Sequence, residues 1–381
     1  MTKIVNPESL MGRNINTFAH FLCFFLLLFF HWSFAIGISP ISNTDSLLID
    51  IRDHNFEKAD QHLIKILKKD NLSKVDKQWI EELQYYNAIN NEYGIYKNQP
   101  LPEKVYLKPL SKEIKAIQLL NQGYYSLLYE IDNDSEAFQK LQQSLKIAED
   151  SNNKILSCEV LKAILIYYIR LFNITDDNWK YYAEVYKKQT YDETESAIQK
   201  LLVFFIKTKD EAKILSNEVL EIKKISESSI PQFYRLYAKK QLALYYELYE
   251  KNYPKANEFY LASLKSDQKY GADIYFHQAN LSCYGDFLNT WKKYRNAVNY
   301  LNQIEKKYKG KTYYNNIVYK YSALSNAYAG LKIYDSAFIY KDKSRLLKNE
   351  FEQSKHNAII NELNVKEKDQ KINSQSKLLM N

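Results

Sequence analysis

The sequence predicts an all-α fold, a solenoid of helix-turn-helix pairs that ends in a long C-terminal helix. Three observations carry this. Only 8 of 381 residues are Gly and 7 are Pro, so the fixed glycine positions of turn-rich β-sandwiches and glycine-looped nucleotide enzymes cannot be supplied. Apolar residues recur at helical spacing, broken by short polar clusters. Finally, the chain repeats itself with a period near forty residues. A hydrophobic content of 46% is that of a folded domain and excludes both a disordered chain and a multi-span membrane protein.

The elements follow in order. Phe21 to Phe30 is an unbroken apolar run after Lys3 and Arg13, followed by the small-x-small triplet Ser33-Phe34-Ala35. This pattern reads residues 1–35 as a secretory signal peptide. The alternative is an uncleaved N-terminal anchor over 18–38, interrupted by His20, His31 and Ser33. Residues 44–96 read as N-terminal helical repeats, in which Phe56-x-x-Ala59 leads into Leu63, Ile66 and Leu67. Pro100, Pro102 and Pro109 make 97–111 a Pro-rich loop. An array over 112–350 follows. It includes the stripe Ala137, Leu141, Ser144 and Leu145, and helices near 153–172, 176–190, 192–208 and 210–226. Polar breaks at Asp132-Asn133-Asp134-Ser135, Thr175-Asp176-Asp177-Asn178 and Tyr191-Asp192-Glu193-Thr194 read as helix N-caps. They lack the central glycine of a calcium loop. Pro254 suits a helix start. Residues 341–381 carry Phe351, Ile359, Leu363 and Ile372 among polar residues and read as one long helix.

The repeat is clearest in Tyr253-x-x-Ala256, Tyr294-x-x-Ala297 and Tyr334-x-x-Ala337, whose alanines are 41 and 40 residues apart. Ahead of them stand the large-small pairs Leu242-Ala243, Tyr284-Gly285 and Leu324-Ser325, with Tyr246, Leu288 and Tyr328 four residues beyond each large member. In this pattern the small residues let the two helices of a pair approach, and the large ones fill the gaps between pairs. At these residues the chain resembles the tetratricopeptide repeat family, with a period longer than the usual 34. The resemblance implies a groove lined by the first helix of each pair. Carried over position by position, the groove residues are Tyr237, Lys240 and Glu247, then Ser282, Asp286 and Asn289, then Tyr319, Ser322 and Asn326. The segment Ile360 to Ile372 is similar to the linker that follows such repeats in exported sensor proteins of Bacteroidetes. No output domain follows it in this sequence.

Motifs of catalysis are not found. Cys23, Cys158 and Cys283 have no paired spacing, and His54 and His62 are eight apart rather than three to five. His277 reads as a surface or capping histidine at a helix start. No metal site, cofactor or catalytic residue is expected. The tyrosine clusters Tyr167-Tyr168, Tyr181-Tyr182, Tyr245-Tyr246 and Tyr313-Tyr314 read as inter-helix filler with buried rings and wet hydroxyls. With 53 basic against 45 acidic residues, net +8, the charge is mild and dispersed, which disfavours nucleic acid as a partner. The expectation is an exported scaffold that binds proteins or peptides in its concave groove, touching a membrane only through an uncleaved N-terminal segment. One alternative is the truncated sensory half of a membrane-bound regulator. The other is a non-catalytic accessory subunit of an envelope enzyme.

Overall fold

The computed structural model describes residues 41–68, 72–92, 104–129, 134–170, 178–209, 213–265, 271–308 and 314–349. The expectations for residues 1–35, and for 341–381 beyond residue 349, lie outside the described residues. Of the unit formed by residues 1–46, only the first turns of helix α1 (Ile41–Arg52) are described, and from Leu47 onward the described residues belong to one compact unit.

Every regular element among the described residues is a helix. After α1 come α2 (Phe56–Leu67) and α3 (Lys74–Glu92), then an extended stretch over 104–110. Six helix pairs follow. They are α4 (Lys112–Tyr129) with α5 (Asp134–Asp150), α6 (Lys154–Arg170) with α7 (Asn178–Gln189), and α8 (Glu193–Lys209) with α9 (Ser216–Glu227). Next are α10 (Gln232–Leu248) with α11 (Tyr253–Ser263), α12 (Gly271–Thr290) with α13 (Tyr294–Lys307), and α14 (Tyr314–Gly330) with α15, helical over 334–349.

The packing makes this a solenoid. The first helices of successive pairs, α4, α6, α8, α10, α12 and α14, touch one another in that order. The second helices α5, α7, α9, α11 and α13 each pack on their own partner and on the first helix of the next pair. The result is an inner layer of first helices backed by a layer of second helices, which is how stacked helix pairs bury a continuous core.

Local chemistry sets the helix starts. Asp192 Oδ1 accepts the Glu195 amide at 2.7 Å and so caps α8. Asn252 Oδ1 accepts the Lys255 amide at 3.2 Å and caps α11, where Pro254 in the first turn loses no hydrogen bond. The polar break at 191–194 is therefore a cap; those around 132 and 175 fall largely outside the described residues.

The turns inside pairs carry the same period as the helices. Lys251, Lys292 and Lys332 all have left-handed backbone, with φ of 53°, 60° and 62°. The chain reverses there through Lys293 N–H to Leu288 C=O at 2.7 Å and Ile333 N–H to Tyr328 C=O at 2.9 Å. Glycine is the usual residue at such a helix end, and a lysine there stores roughly 1 kcal/mol of backbone strain.

Close approach within pairs rests on the small residues. A Cβ on Gly285 would lie 2.5 Å from Leu301 of α13. Ser325 sits at the equivalent position of the last pair and donates to the Ala337 carbonyl at 2.8 Å. Between pairs, the Tyr294 ring occupies the space that a side chain at Gly330 would need. Ala256 and Ala297 are completely buried.

Helices α1–α3 do not form a further pair in this series. Helix α3 packs on α2 and α4 and also reaches α12. Glu82 of α3 accepts Gln118 and Asn121 of α4, and Tyr86 donates to Glu159 of α6 at 2.5 Å. The N-terminal helices thus lie against the inner, first-helix face of the array. The extended stretch runs alongside, tied by Gln78 to the Lys108 carbonyl and the Leu110 amide and by Lys104 to Glu82.

Candidate partner-binding face

Two regions of the inner layer carry charge, and they differ in what neutralises it. The first lies where the N-terminal helices meet α6, α8 and α10. Arg52, 2% exposed, directs Nη1 to Asp192 Oδ2 at 2.8 Å, to Glu195 Oε2 at 3.1 Å and to the Tyr191 hydroxyl at 2.9 Å, with Nε on Asp53 at 2.8 Å. Tyr234 at the start of α10 donates to the Arg52 carbonyl at 2.5 Å. Lys162 pairs with the buried Glu159 at 2.5 Å. Tyr186 donates to Glu195, whose carboxyl is raised in pKa by burial and by Glu159 and is held back by Tyr186, Lys162 and Arg52. This cluster is internally paired and fastens α1–α3 to the array.

The second region is the α10–α12–α14 face, where the family-derived groove positions fall. Their environments are not uniform. Asp286, Tyr319, Ser322 and Asn326 are exposed, and Tyr237 and Asn289 are half-buried. Lys240, Glu247 and Ser282, expected to face solvent, are buried. Lys240 reaches between the Phe205 and Phe276 rings, 5.7 Å from each centroid, and Tyr237 meets the same two rings, edge-on at Phe205 and tilted at Phe276. Glu247 accepts the Tyr260 hydroxyl of α11 at 2.7 Å and a hydrogen bond from Thr290 of α12. Asp286 is hydrogen-bonded to Asn289 and Asn326, so it joins α12 to α14. Asn289 also donates to the Ala323 carbonyl of α14 at 2.7 Å. Seven-residue and four-residue spacings put these groups on one face of each helix.

Tyr319 is 48% exposed, and the neighbouring side chains that desolvate its hydroxyl raise its pKa; the carboxyl of Asp286 is raised by the same cause.

Burial, aided by Asp286, pushes Glu247 up to about 7, against the opposing pull of the Tyr260 and Thr290 hydrogen bonds and of Lys251. An acid whose folded pKa is raised favours the folded state fully below its unfolded value and loses that advantage as pH rises through the folded one. The cost of Glu247 to stability therefore builds between about pH 4.5 and about pH 7 and is present in full above that. E247Q keeps an oxygen for Tyr260 and removes the charge. It is expected to unfold at a higher urea midpoint than wild type at pH 8 and at nearly the same midpoint at pH 4.5, a difference of about 3 kcal/mol at most.

Several side chains depart from their sequence readings. His277 is buried, not on the surface; its Nδ1 meets the Tyr308 hydroxyl at 2.6 Å, and burial lowers it to about 4. Three tyrosines outside the clusters singled out in the sequence place their hydroxyls on buried carboxylates: Tyr86 on Glu159, Tyr186 on Glu195 and Tyr260 on Glu247. Cys158 is buried and Cys283 half-buried; both are free thiols raised by burial. The ion cluster around Arg52 was not read from sequence, because its members come from residues 52–53, 159–162, 191–195 and 234 and share no motif.

No known protein-family model matches the chain, and no curated protein matches it.

Proposed function

We propose that the protein is a non-catalytic tetratricopeptide-type scaffold that holds a protein or peptide segment on the α10–α12–α14 face. On the reading of residues 1–35 as a signal segment, it works outside the cytoplasm. The supporting observation is the shared face, on which Asp286, Tyr319, Ser322 and Asn326 are exposed along two adjacent, touching first helices. A partner laid along this face meets hydrogen-bonding groups at successive helical turns, the arrangement by which stacked helix pairs take extended or helical peptides.

The test uses peptides selected on the full chain from a random dodecapeptide library. The triple variant D286A/S322E/N326E alters exposed side chains but also removes the Asp286–Asn326 hydrogen bond between α12 and α14, so S322E alone, which leaves that bond in place, is measured beside it. Selected peptides are expected to bind the triple variant at least tenfold more weakly and S322E several-fold more weakly, at a temperature where thermal melts show both variants folded. Equal binding to wild type and both variants, or no enrichment on wild type, would overturn the reading.

A further inference from the structure

Charge that is dispersed along the sequence is gathered by the fold at one edge of the array. The turns inside the last three pairs lie side by side. Tyr253 of the first turn meets the Phe287 ring of α12, which in turn meets Trp291 of the second. The Tyr294 ring, just beyond the second turn, lies against Gly330 at the third. Helices α10, α12 and α14 touch in that order, so successive turns stand roughly 10 Å apart, the spacing of packed helices. Residues 249–255, 290–296 and 330–336 hold six cations and two acids, a surplus of four and half the net +8 of the whole chain. All eight of these side chains are exposed. None of the six cations forms an ion pair among the described residues. Lys251 acts across space on the buried Glu247, while Lys255 and Lys293 stand over the Tyr246 and Trp291 rings of their own pairs at 4.0 and 5.5 Å.

Most of these cations stand against local preference. Lys251, Lys292 and Lys332 hold the left-handed backbone that glycine takes without strain. Their charge suits the C-terminal dipole of the helix just ended. Lys255, Lys293 and Arg295 have no such return. They sit at the starts of α11 and α13, where the dipole opposes a cation, and neither helix has an acid in its first turn. Choices that break local rules in the same register of successive pairs point to a use outside the helices themselves.

Apolar groups are interleaved with the charges. Leu248, ending α10, is 45% exposed, and Trp291 in the second turn is half-buried. Ile333 and Tyr334 at the third turn are 47% and 68% exposed. A phosphate backbone of nucleic acid gives aliphatic tips such as Leu248 and Ile333 nowhere to go. A lipid headgroup layer takes both kinds of group: its phosphates meet the cations, and the apolar tips enter the boundary beneath.

We propose that this turn edge rests on the surface of a membrane carrying anionic phospholipid, with the six cations at the lipid phosphates and Ile333 and Tyr334 at the headgroup–acyl boundary. The contact uses the edge of the array and not the α10–α12–α14 face. It therefore goes beyond the scaffold reading, does not depend on it, and leaves that face free for a partner.

The test is amide hydrogen exchange of the full chain on vesicles of phosphatidylcholine with phosphatidylglycerol, and on vesicles of phosphatidylcholine alone. Exchange is read segment by segment, so binding through the apolar run from Phe21 to Phe30 is counted apart. On the anionic vesicles the three turns are expected to exchange at least about fivefold more slowly, and on the neutral ones to change little. The variant K251G/K292G/K332G removes three charges and relieves the left-handed strain. It is expected to melt no lower than wild type yet to lose most of the protection. Lysines that serve only to finish their helices predict the reverse, a lower melting point and unchanged protection. I333S/Y334S, at exposed side chains, is expected to weaken protection on the vesicles while binding soluble poly-glutamate as wild type does. Thermal melts establish that each variant is folded; Y334S alone serves if the double variant is not. Equal protection on both kinds of vesicle, protection only outside the three turns, or either variant protected as wild type is would each overturn the inference. So would stronger protection of these turns by a DNA duplex or by poly-glutamate than by the vesicles, which would assign the edge to nucleic acid or to an acidic protein.

Discussion

Replacing Arg52 with methionine is expected to destabilise the protein by about 3–5 kcal/mol, the cost of leaving a buried partner charge uncompensated. Arg52 is almost wholly buried and meets Asp53, Asp192 and Glu195 together. Of these, Glu195 has no access to water, so removing the guanidinium strands its carboxylate. The measurement is the urea midpoint at pH 7. A second substitution discriminates the cause: E195Q added to R52M should recover a substantial part of the loss, because it removes the stranded charge. If R52M alone costs less than about 1 kcal/mol, the cluster does not hold the N-terminal helices in place. Lysine at position 52 keeps the charge but loses the fork that reaches several acceptors at once, so R52K should fall between wild type and R52M.

The second large effect is at Gly285. In an exposed helix interior, glycine is the weak choice, and replacing it gains up to about 1 kcal/mol. Here the sign reverses. Any Cβ meets Leu301 at 2.5 Å, and Leu301 is itself completely buried between α12, α13 and their neighbours. G285V is expected to cost about 3 kcal/mol by overpacking. G285A should cost less than G285V, and pairing it with L301A should give a loss smaller than the sum of the two single changes, since the void left by one is filled by the other. Additive losses would mean that α12 and α13 do not owe their closeness to this glycine.

Gly285 also shows how far the sequence could be read. It was legible because it stands in register with Ala243 and Ser325, and because a repeat states the same packing rule several times. The three Tyr-x-x-Ala steps were legible for the same reason. The left-handed lysines at 251, 292 and 332 keep that register too, but lysine at a helix end gives no composition signal, and only the backbone shows it. At the groove the reading was divided. Helical spacing placed the nine candidate residues on common faces, but spacing says nothing of depth. Lys240 vanished between two rings because Phe205 and Phe276 come from other helices, 35 and 36 residues away. Ser282 was buried by its neighbours in the same way.

By itself the sequence determined the helices, the cap at Asp192, the helix-pair period and the small residues that bring the later pairs together. These follow from interactions within a turn or from a rule repeated along the chain. Only the tertiary structure decided that α1–α3 lie across the inner layer, that Arg52 is neutralised by residues about 140 positions away, and that Glu247 is buried while Asp286 on the neighbouring helix is exposed. Those outcomes depend on charges and volumes that meet from distant parts of the chain. Their energy is set by burial, and burial belongs to the packed molecule rather than to any segment of it.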